Sequence, residues 1–297
     1  MAIAATDSQV LLDEGRASGV LRRGSSTAGR RARVWTGRVL LGAAFLGAWQ
    51  AAVSLGLVSA AFVSTPVAVV RAVGTVVSSQ GFSAAFDVTV EEVVVSFVAS
   101  AILGVASAIL LDRISWLREI LAPFITGTNA IPRIALGPLF VLWFGIGAMS
   151  KIVLAFSLGY FIVLLGTMAG LANVDRDMLL MARLYGANNR QLFFRVRLPW
   201  ALPSVFSSLK LSLIYCMGGA IVGEMIAARA GLGELLQTYS GEFDIAGLLA
   251  VLMILVGIVV AGTAALSVAE RHFLRWTKGT TDVPGGATSR DASSQDK

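Results

Sequence analysis

The sequence predicts an all-α membrane protein with about six transmembrane helices. Hydrophobic residues make up 56% of the 297 residues and charged residues only 14%, and the mean hydropathy is +0.77. The apolar residues gather in runs of about 20, the length that a helix needs to cross about 30 Å of hydrocarbon. A backbone in lipid must satisfy its own N–H and C=O groups, and the runs are too long for barrel strands, so each run is predicted to be a helix.

The apolar runs divide the chain into a central transmembrane domain, residues 38–270, and two polar ends. Residues 1–37 are rich in Arg, Ser, Gly and Ala and contain no apolar block, which predicts a disordered cytoplasmic tail rather than a cleaved signal. Residues 271–297 are predicted to form a second cytoplasmic tail. The predicted spans, in chain order, are residues 38–58, 88–111, 122–144, 152–172, 203–226 and 245–268.

Lysine and arginine residues are concentrated in alternate connecting segments, which predicts the orientation of the chain. By the positive-inside rule, both termini and the basic segment 175–200 are predicted to be cytoplasmic. An even number of spans agrees with this, because it leaves the two basic ends on one side. The opposite side has only Arg71, Lys151 and Arg229. The cytoplasmic side is predicted to hold Arg16, Arg22, Arg23, Arg30, Arg31, Arg33, Arg38, Arg113, Arg118, Arg176, Arg183, Arg190, Arg195, Arg197, Lys210, Arg271, Arg275 and Lys278.

The segment 175–200 is predicted to form two short helices joined by a turn, an arrangement we call the elbow. Asp175 and Asp177 lie where the first helix would begin, and their negative charge favours the positive end of its dipole. Gly186 suits a left-handed turn at the end of that helix, and Asn188 can cap the second helix. A helix-turn-helix placed between two apolar spans predicts that something outside the hydrocarbon binds it.

The elbow combines apolar side chains with a ring of arginines. Pro199 and Pro203 are expected to stop its second helix before the fifth span. One interpretation is a hairpin that lies on lipid headgroups, and the other is a docking site for a cytoplasmic partner. The apolar residues on one side and the arginines around them are Leu179, Leu180, Leu192, Phe193 and Val196 with Arg183, Arg190 and Arg195.

The spacing of small residues and prolines in the elbow resembles a family pattern. The pattern consists of Gly186–Ala187, Val196 ten positions after that glycine, Leu198–Pro199 and Pro203. It is similar to the cytoplasmic Glu-Ala-Ala loop of bacterial ABC-importer permeases, which docks a separate ATPase subunit. Of the family's Glu-Ala-Ala triplet only the last position, Ala182, agrees, because leucine and methionine occupy positions 180 and 181.

The resemblance is not confined to the elbow and covers roughly residues 40–270. Residues 130–152 look like the third-span signature of the nitrate, sulfonate and taurine branch of these permeases. Residues 64–73 and 221–233 also look like that branch. In the second span Glu92 departs from the family, which commonly has an arginine at that position.

The resemblance implies the type I importer architecture in a multi-pass subunit of the bacterial cytoplasmic (inner) membrane. The implied partners are a second permease copy in a homodimer, an extracytoplasmic substrate-binding protein and two ABC ATPase subunits. ATP and Mg would be bound by those ATPase subunits and not by this chain. The resemblance implies a coupling role for Arg183, Gly186, Ala187, Arg190, Phe193, Leu198 and Pro199.

The same resemblance limits the substrate to classes that the branch handles. We expect a small anionic solute of the sulfonate, taurine, nitrate or aromatic acid type, with a neutral or cationic vitamin precursor as the alternative. A passive channel or pore with a lipid-bound cytoplasmic hairpin is the alternative function. Dependence of uptake on ATP separates that function from an importer.

The sequence excludes several other classes of function. A P-loop needs GxxxxGK[ST], and none of the four lysines follows a glycine, so the chain is not predicted to hydrolyse ATP. No catalytic residue and no metal site are expected, because His272 is the only histidine and Cys216 the only cysteine. The formal net charge of +6 does not indicate nucleic acid binding, because the cations collect at helix ends, where anionic lipid faces them.

Ionisable residues inside predicted spans are candidates for the transport pathway, because burying them in lipid is costly. Arg133 lies about halfway through the third predicted span between Pro132 and Pro138, and Asn129 lies nearby. The alternative for Arg133 is a cation that packs helices together. Glu224 follows a glycine-rich stretch of the fifth span, and it would either line the outer vestibule of the pathway or lock the dimer through hydrogen bonds.

Overall fold

A computed structural model of the chain describes residues 26–59, 62–227 and 229–274. These residues form an all-helical fold without strands. The helices, in chain order, are α1 (Ser26–Ser54), α2 (Pro66–Val77), α3 (Phe82–Arg113), α4 (Ser115–Ala130), a 3-10 turn (Arg133–Leu136), α5 (Gly137–Phe144), α6 (Ala148–Ala172), α7 (Arg176–Leu184), α8 (Asn189–Leu192), a π turn (Phe193–Arg197), α9 (Leu198–Ala227), α10 (Leu232–Gly241) and α11 (Ile245–Phe273).

The described chain divides into two compact units between Val70 and Arg71. The first unit contains α1, which begins at Ser26. The predicted disorder of residues 1–37 is therefore wrong for residues 26–37, because the helix of the first predicted span continues backwards through them. Residues 1–25 lie outside the described residues.

The second unit contains the long apolar helices. Within the described residues, four helices are long and apolar enough to cross a membrane, namely α3, Asn189–Ala227, α6 and α11. The pair α4 and α5 would make a fifth span if it crosses as one broken element. The prediction of six spans with both termini cytoplasmic stays a prediction. Helix α11 extends to Phe273, so residues 271–273 belong to this helix and not to the predicted C-terminal tail. Residues 275–297 lie outside the described residues.

The third predicted span is not one helix. The helices on either side of Ile131 and Pro132 are bent by 80° relative to each other, so the continuous helix predicted over residues 122–144 is wrong. Ile131 has an extended backbone conformation. A residue before proline is driven out of the helical region, and proline itself has no N–H to donate, so Pro132 explains the break.

Helices α6 and α9 pack closely through small side chains. A Cβ atom added to Gly159 would lie 2.7 Å from the Ser212 hydroxyl oxygen, and one added to Gly170 would lie 2.8 Å from the Cβ of Ser204. The Ser212 hydroxyl donates a hydrogen bond to the carbonyl oxygen of Gly159 at 3.2 Å. Helices in lipid associate through such close backbone approach and interhelical hydrogen bonds. This pair is the centre of the second unit.

Helix α3 completes a three-helix core against α6. The Ser100 hydroxyl donates to the carbonyl oxygen of Phe156 at 3.3 Å, and the Tyr160 hydroxyl donates to the Ser107 oxygen at 3.0 Å. Helices α10 and α11 then cover the α3 and α9 side with a buried apolar cluster. Its members from these two helices are Leu232, Leu236, Ala250, Val251 and Leu255.

Substituting Gly219 with alanine should destabilise the fold, whereas substituting its neighbour Gly218 should not. A Cβ at Gly219 would lie 2.7 Å from the Cα of Ala155, a backbone atom that cannot move alone, whereas nothing lies within 4 Å of a Cβ at Gly218. Overpacking of this kind costs about 1–3 kcal/mol. Thermal unfolding of the purified chains in detergent would measure it, and equal midpoints for Gly219→Ala and Gly218→Ala would contradict the packing.

Candidate functional site

The elbow forms the two short helices and the turn that the sequence predicts. Asp175 caps α7, since its side chain accepts the N–H of Asp177 at 2.8 Å. Gly186 ends the helix with a φ of +80°, and its N–H donates to the carbonyl oxygen of Arg183 at 2.9 Å. Asn188 begins α8 with a reciprocal capping box that it shares with Gln191. The predicted caps are confirmed.

The second helix of the elbow does not stop at the prolines. The N–H of Leu198 donates to the carbonyl oxygen of Phe193 in a π turn, and the chain continues into α9 with Pro203 inside that helix. The predicted stop at Leu198–Pro199 and Pro203 is therefore wrong. Proline near the start of a helix loses little, because the first N–H groups have no intrahelical partner; this accounts for Pro199, the second residue of α9, but not for Pro203, which lies inside the helix. The elbow is thus joined directly to a transmembrane helix.

Phe193 is a buried residue of the elbow and does not reach its surface. It is 7% exposed and packs with Leu171 and Ala201 in a small cluster. The surface holds other apolar residues, because Leu184 is 87% exposed and Tyr185 is 88% exposed. Leu180 and Met181, at the positions where the family pattern has Glu and Ala, are exposed as well.

Two arginines attach the elbow to the ends of α3 and α6. Arg197 donates to Asp112 at 2.6 Å and to the carbonyl oxygen of Leu171 at 3.1 Å. The Arg113 guanidinium lies 4.5 Å from the ring centre of Phe193. Hydrogen bonds to charged groups are stronger than neutral ones, so these contacts hold the elbow against the helix ends.

A cleft of about 670 Å³ lies between the elbow and these helix ends. Five arginines line it, and we call it the arginine cleft. They are Arg113, Arg176, Arg183, Arg190 and Arg197. The remaining coupling candidates Gly186, Ala187, Leu198 and Pro199 do not line the cleft.

The structure brings two pathway candidates together at the bend between α4 and α5. The Arg133 guanidinium donates to the carbonyl oxygen of Thr128 at 3.1 Å and to the side-chain oxygen of Asn129 at 3.1 Å. It also lies 4.0 Å from the ring centre of Phe161. Arg133 therefore binds a carbonyl group in the last turn of α4, which also accepts the N–H of Ile131, and it holds the bend against α6.

Glu224 lies in a different, buried cluster at the far end of α9. It is 1% exposed and accepts hydrogen bonds from the Thr89 hydroxyl at 2.7 Å and from the N–H of Gly233 at 2.6 Å. The Thr89 oxygen accepts the N–H of Leu232 at 2.8 Å. These contacts satisfy the first N–H groups of α10, whose positive end favours a carboxylate.

Glycine is required where α10 begins. Gly231 has a φ of +127°, and a Cβ there would lie 2.5 Å from a carboxylate oxygen of Glu224. A Cβ at Gly233 would lie 2.7 Å from the Cβ of Glu224. These contacts lie within one chain and hold α9 against the start of α10, whereas the predicted lock was between two copies.

Sequence reasoning did not find the ion pair beside this cluster. Glu92 and Lys151 lie 3.9 Å apart, and their side chains are 1% and 5% exposed. The Lys151 ammonium also donates to the carbonyl oxygen of Ile146 at 2.8 Å, and the Glu92 carboxyl group lies beside the carboxyl group of Glu224. A carboxylate inside an apolar run needs a partner, so Glu92 could have prompted a search for a cation.

The chain is similar in sequence to known membrane components of transport systems. A family described as "Binding-protein-dependent transport system inner membrane component" matches residues 100–278. The riboflavin transport system permease protein RibX of Chloroflexus aurantiacus is 35% identical over 55% of this chain, which spans 61% of that relative's length. The taurine transport system permease protein TauC of Escherichia coli is 31% identical over 75% of this chain and 81% of its own.

Solved structures show the same fold. An inward-facing structure of the MetNI methionine ABC transporter superposes with a TM-score of 0.55 at 22% identity. The superposition covers 63% of this chain and 93% of that one. The all-helical permease fold predicted from the sequence is confirmed.

Replacing Lys151 with methionine should destabilise the chain strongly, because it leaves Glu92 buried without a cation. Removing one partner of a buried pair costs about 3–5 kcal/mol. The double variant Lys151→Met/Glu92→Gln should recover most of that loss, because it removes both charges. Thermal unfolding in detergent would compare the three chains, and a double variant no more stable than Lys151→Met would show that the pair is not the source of the effect.

Proposed function

The chain belongs to the family of binding-protein-dependent transport system inner membrane components, and from this premise we propose that it forms the transmembrane pathway of an ATP-driven importer. Members of this family are transport subunits without a catalytic centre of their own. In the proposed assembly the chain works with a second permease copy, two ATPase subunits that bind ATP and Mg, and an extracytoplasmic binding protein in the bacterial inner membrane.

The exposed apolar surface of the elbow carries the proposal. Leu180, Met181, Leu184 and Tyr185 form this surface, with side chains between 56% and 88% exposed. Scattered exposed apolar residues are ordinary, but a contiguous group on a helix end outside the apolar spans is typical of a protein interface. We assign this surface to the ATPase subunit, with Gly186 and Ala187 shaping the turn that presents it.

The attachment of the elbow explains how docking would move the transmembrane helices. The π turn joins the elbow to α9, whose 30 residues span about 45 Å at about 1.5 Å per residue. Glu224 lies near the other end of the same helix and holds the start of α10. A shift of the elbow would therefore be carried along α9 to the opposite end of the bundle.

Coupling also requires the ATPase to bind the elbow differently in the two states of the cycle. A contact of equal strength in both states would not change their populations. Arg183 and Arg190 line the arginine cleft, and Phe193, Leu198 and Pro199 belong to the inner part that holds the elbow in place. We assign the contacts that change to the exposed residues of the docking surface, and the positioning of the elbow to these five residues.

For the substrate we propose a small anion of the sulfonate, taurine, nitrate or aromatic acid type. The similarity to the taurine permease TauC supports it, and so does the cationic group of Arg133 beside Asn129 at the bend. A vitamin precursor is the second candidate, because the similarity to the riboflavin permease RibX favours it. The ion pair of Glu92 with Lys151 leaves no net charge from that pair for selecting anions.

Uptake into proteoliposomes containing the permease, its ATPase and its binding protein should require ATP on the side of the membrane where the ATPase lies. Taurine and riboflavin, each radiolabelled, are the two probes. Uptake of taurine with ATP and none without it supports the proposal in full. Uptake of riboflavin alone supports the importer and overturns the anionic substrate, and uptake of either probe without ATP supports the passive channel instead.

Charged substitutions on the docking surface should prevent ATPase binding without affecting the fold. Leu184→Asp and Tyr185→Asp each place a carboxylate in an apolar interface, and losing a central interface contact costs about 2 kcal/mol, or roughly thirty-fold in affinity. Co-purification of the ATPase and its stimulated ATP hydrolysis would both fall. The matched controls Leu184→Met and Tyr185→Phe keep the apolar surface and should behave as the parent chain.

Normal ATPase binding by both aspartate variants would refute the assignment of this surface. Thermal unfolding of the permease alone should be the same for all four variants, because Leu184 and Tyr185 are almost fully exposed. A lowered unfolding midpoint would show that the side chains have a structural role.

A further inference from the structure

We propose that the arginine cleft is a binding site for the phosphate headgroup of an anionic phospholipid. The cleft has a volume of about 670 Å³ and is lined by Arg113, Arg176, Arg183, Arg190 and Arg197. The proposal goes beyond the transport function and does not depend on it, because it concerns a ligand of the permease alone.

The charge of the cleft favours an anion. Asp112 is the one carboxylate among its lining residues, and that carboxylate is bound to Arg197 at 2.6 Å. The other four guanidinium groups form no ion pair with any described residue. Like charges held around one cleft repel each other, and a bound anion converts that repulsion into attraction.

Two of the arginines are held in position before any ligand binds. Arg113 lies over the rings of Phe193 and Phe194, at 4.5 Å and 5.5 Å from their centres. Arg197 is held by Asp112 and by the carbonyl oxygen of Leu171. A planar guanidinium with parallel N–H donors matches phosphate oxygens, and a fixed one loses little entropy on binding.

The position of the cleft favours a lipid over a soluble phosphate compound. Its walls include the last turns of α3 and α6, two helices that are long and apolar enough to cross a membrane. That places it at the level of the headgroups, where basic pockets between transmembrane helices bind anionic lipid. Trp116, just after α3, is 62% exposed, as expected for an aromatic residue at the membrane interface.

The lining of the cleft also provides an apolar path for an acyl chain. Leu179 and Phe194 lie among the lining residues, and Phe194 is 49% exposed. A headgroup among the arginines would therefore continue into apolar contacts, which free phosphate cannot make.

The cleft and the most exposed part of the docking surface lie on different sides of α7, and Leu180, four residues after Arg176, lies between them. Arg176, Leu179 and Arg183 line the cleft at intervals of three and four residues, which is one side of a helix. Leu184 and Tyr185 are absent from the lining and almost fully exposed. A lipid in the cleft and an ATPase on the docking surface can thus bind the elbow together.

The test uses the full-length chain alone, purified in detergent, with bound lipid counted by native mass spectrometry. Phosphatidylglycerol should bind and phosphatidylcholine should not, because its headgroup has no net charge. The double variant Arg113→Gln/Arg190→Gln should weaken phosphatidylglycerol binding by about 25-fold, since each cation near the surface contributes about fivefold, or about 1 kcal/mol. Arg113→Lys/Arg190→Lys should keep most of the binding.

The matched controls remove an equal charge outside the cleft. Arg118→Gln/Arg195→Gln alters an exposed arginine after α3 and another on the elbow, neither of which lines the cleft. This variant should bind phosphatidylglycerol as the parent does. Equal binding by both glutamine variants and the parent would overturn the proposal, as would equal losses in the two glutamine variants.

Two further arms separate other occupants from a lipid. Glycerol 3-phosphate carries the phosphate without acyl chains, and its binding as tightly as phosphatidylglycerol would assign the cleft to a soluble phosphate compound. Loss of the bound lipid when the ATPase is added would assign the cleft to an acidic segment of that partner. Either result overturns the lipid site, and neither tests the importer function.

Discussion

Close backbone contact between α6 and α9 is the constraint on which the rest of the structure depends. Gly159 and Gly170 on α6 meet serines of α9, and Gly219 on α9 meets Ala155 on α6. Because α9 carries the elbow at one end and the Glu224 cluster at the other, this contact sets the positions of both. Larger side chains would separate the helices, and the hydrogen bonds at the two ends could not form together.

Three ion pairs in and beside the long helices reflect the cost of leaving a charge unpaired in an apolar environment. Glu92 binds Lys151, Arg197 binds Asp112, and Lys210 binds Glu270. Each pair joins two different helices, so the charges also align the helices lengthwise. The arginine cleft differs from these pairs, because its five arginines outnumber its one carboxylate. A bound anion would balance this excess of positive charge, which contacts within the fold leave unbalanced.

Predictions from the sequence succeeded where neighbouring residues decide the outcome. The cap at Asn188 and the left-handed turn at Gly186 depend on a few adjacent side chains and one backbone angle. The predictions failed where packing between residues far apart in the sequence decides the outcome. Pro203 was expected to end a helix, but it lies inside α9. Phe193 was expected among the apolar residues on one side of the elbow beside exposed Leu180, but it is buried, because its neighbours in space are Leu171 and Ala201.

The sequence by itself determined that the chain is helical, apolar and basic at alternate helix ends, because hydrophobic run length and charge distribution are properties of the chain read in order. It also identified the elbow. Only the tertiary structure decided which charges meet, such as Glu92 with Lys151 across two helices, and which face of the elbow remains exposed. Those outcomes depend on the rotation and height of each helix against its neighbours, and contacts among many residues set these together.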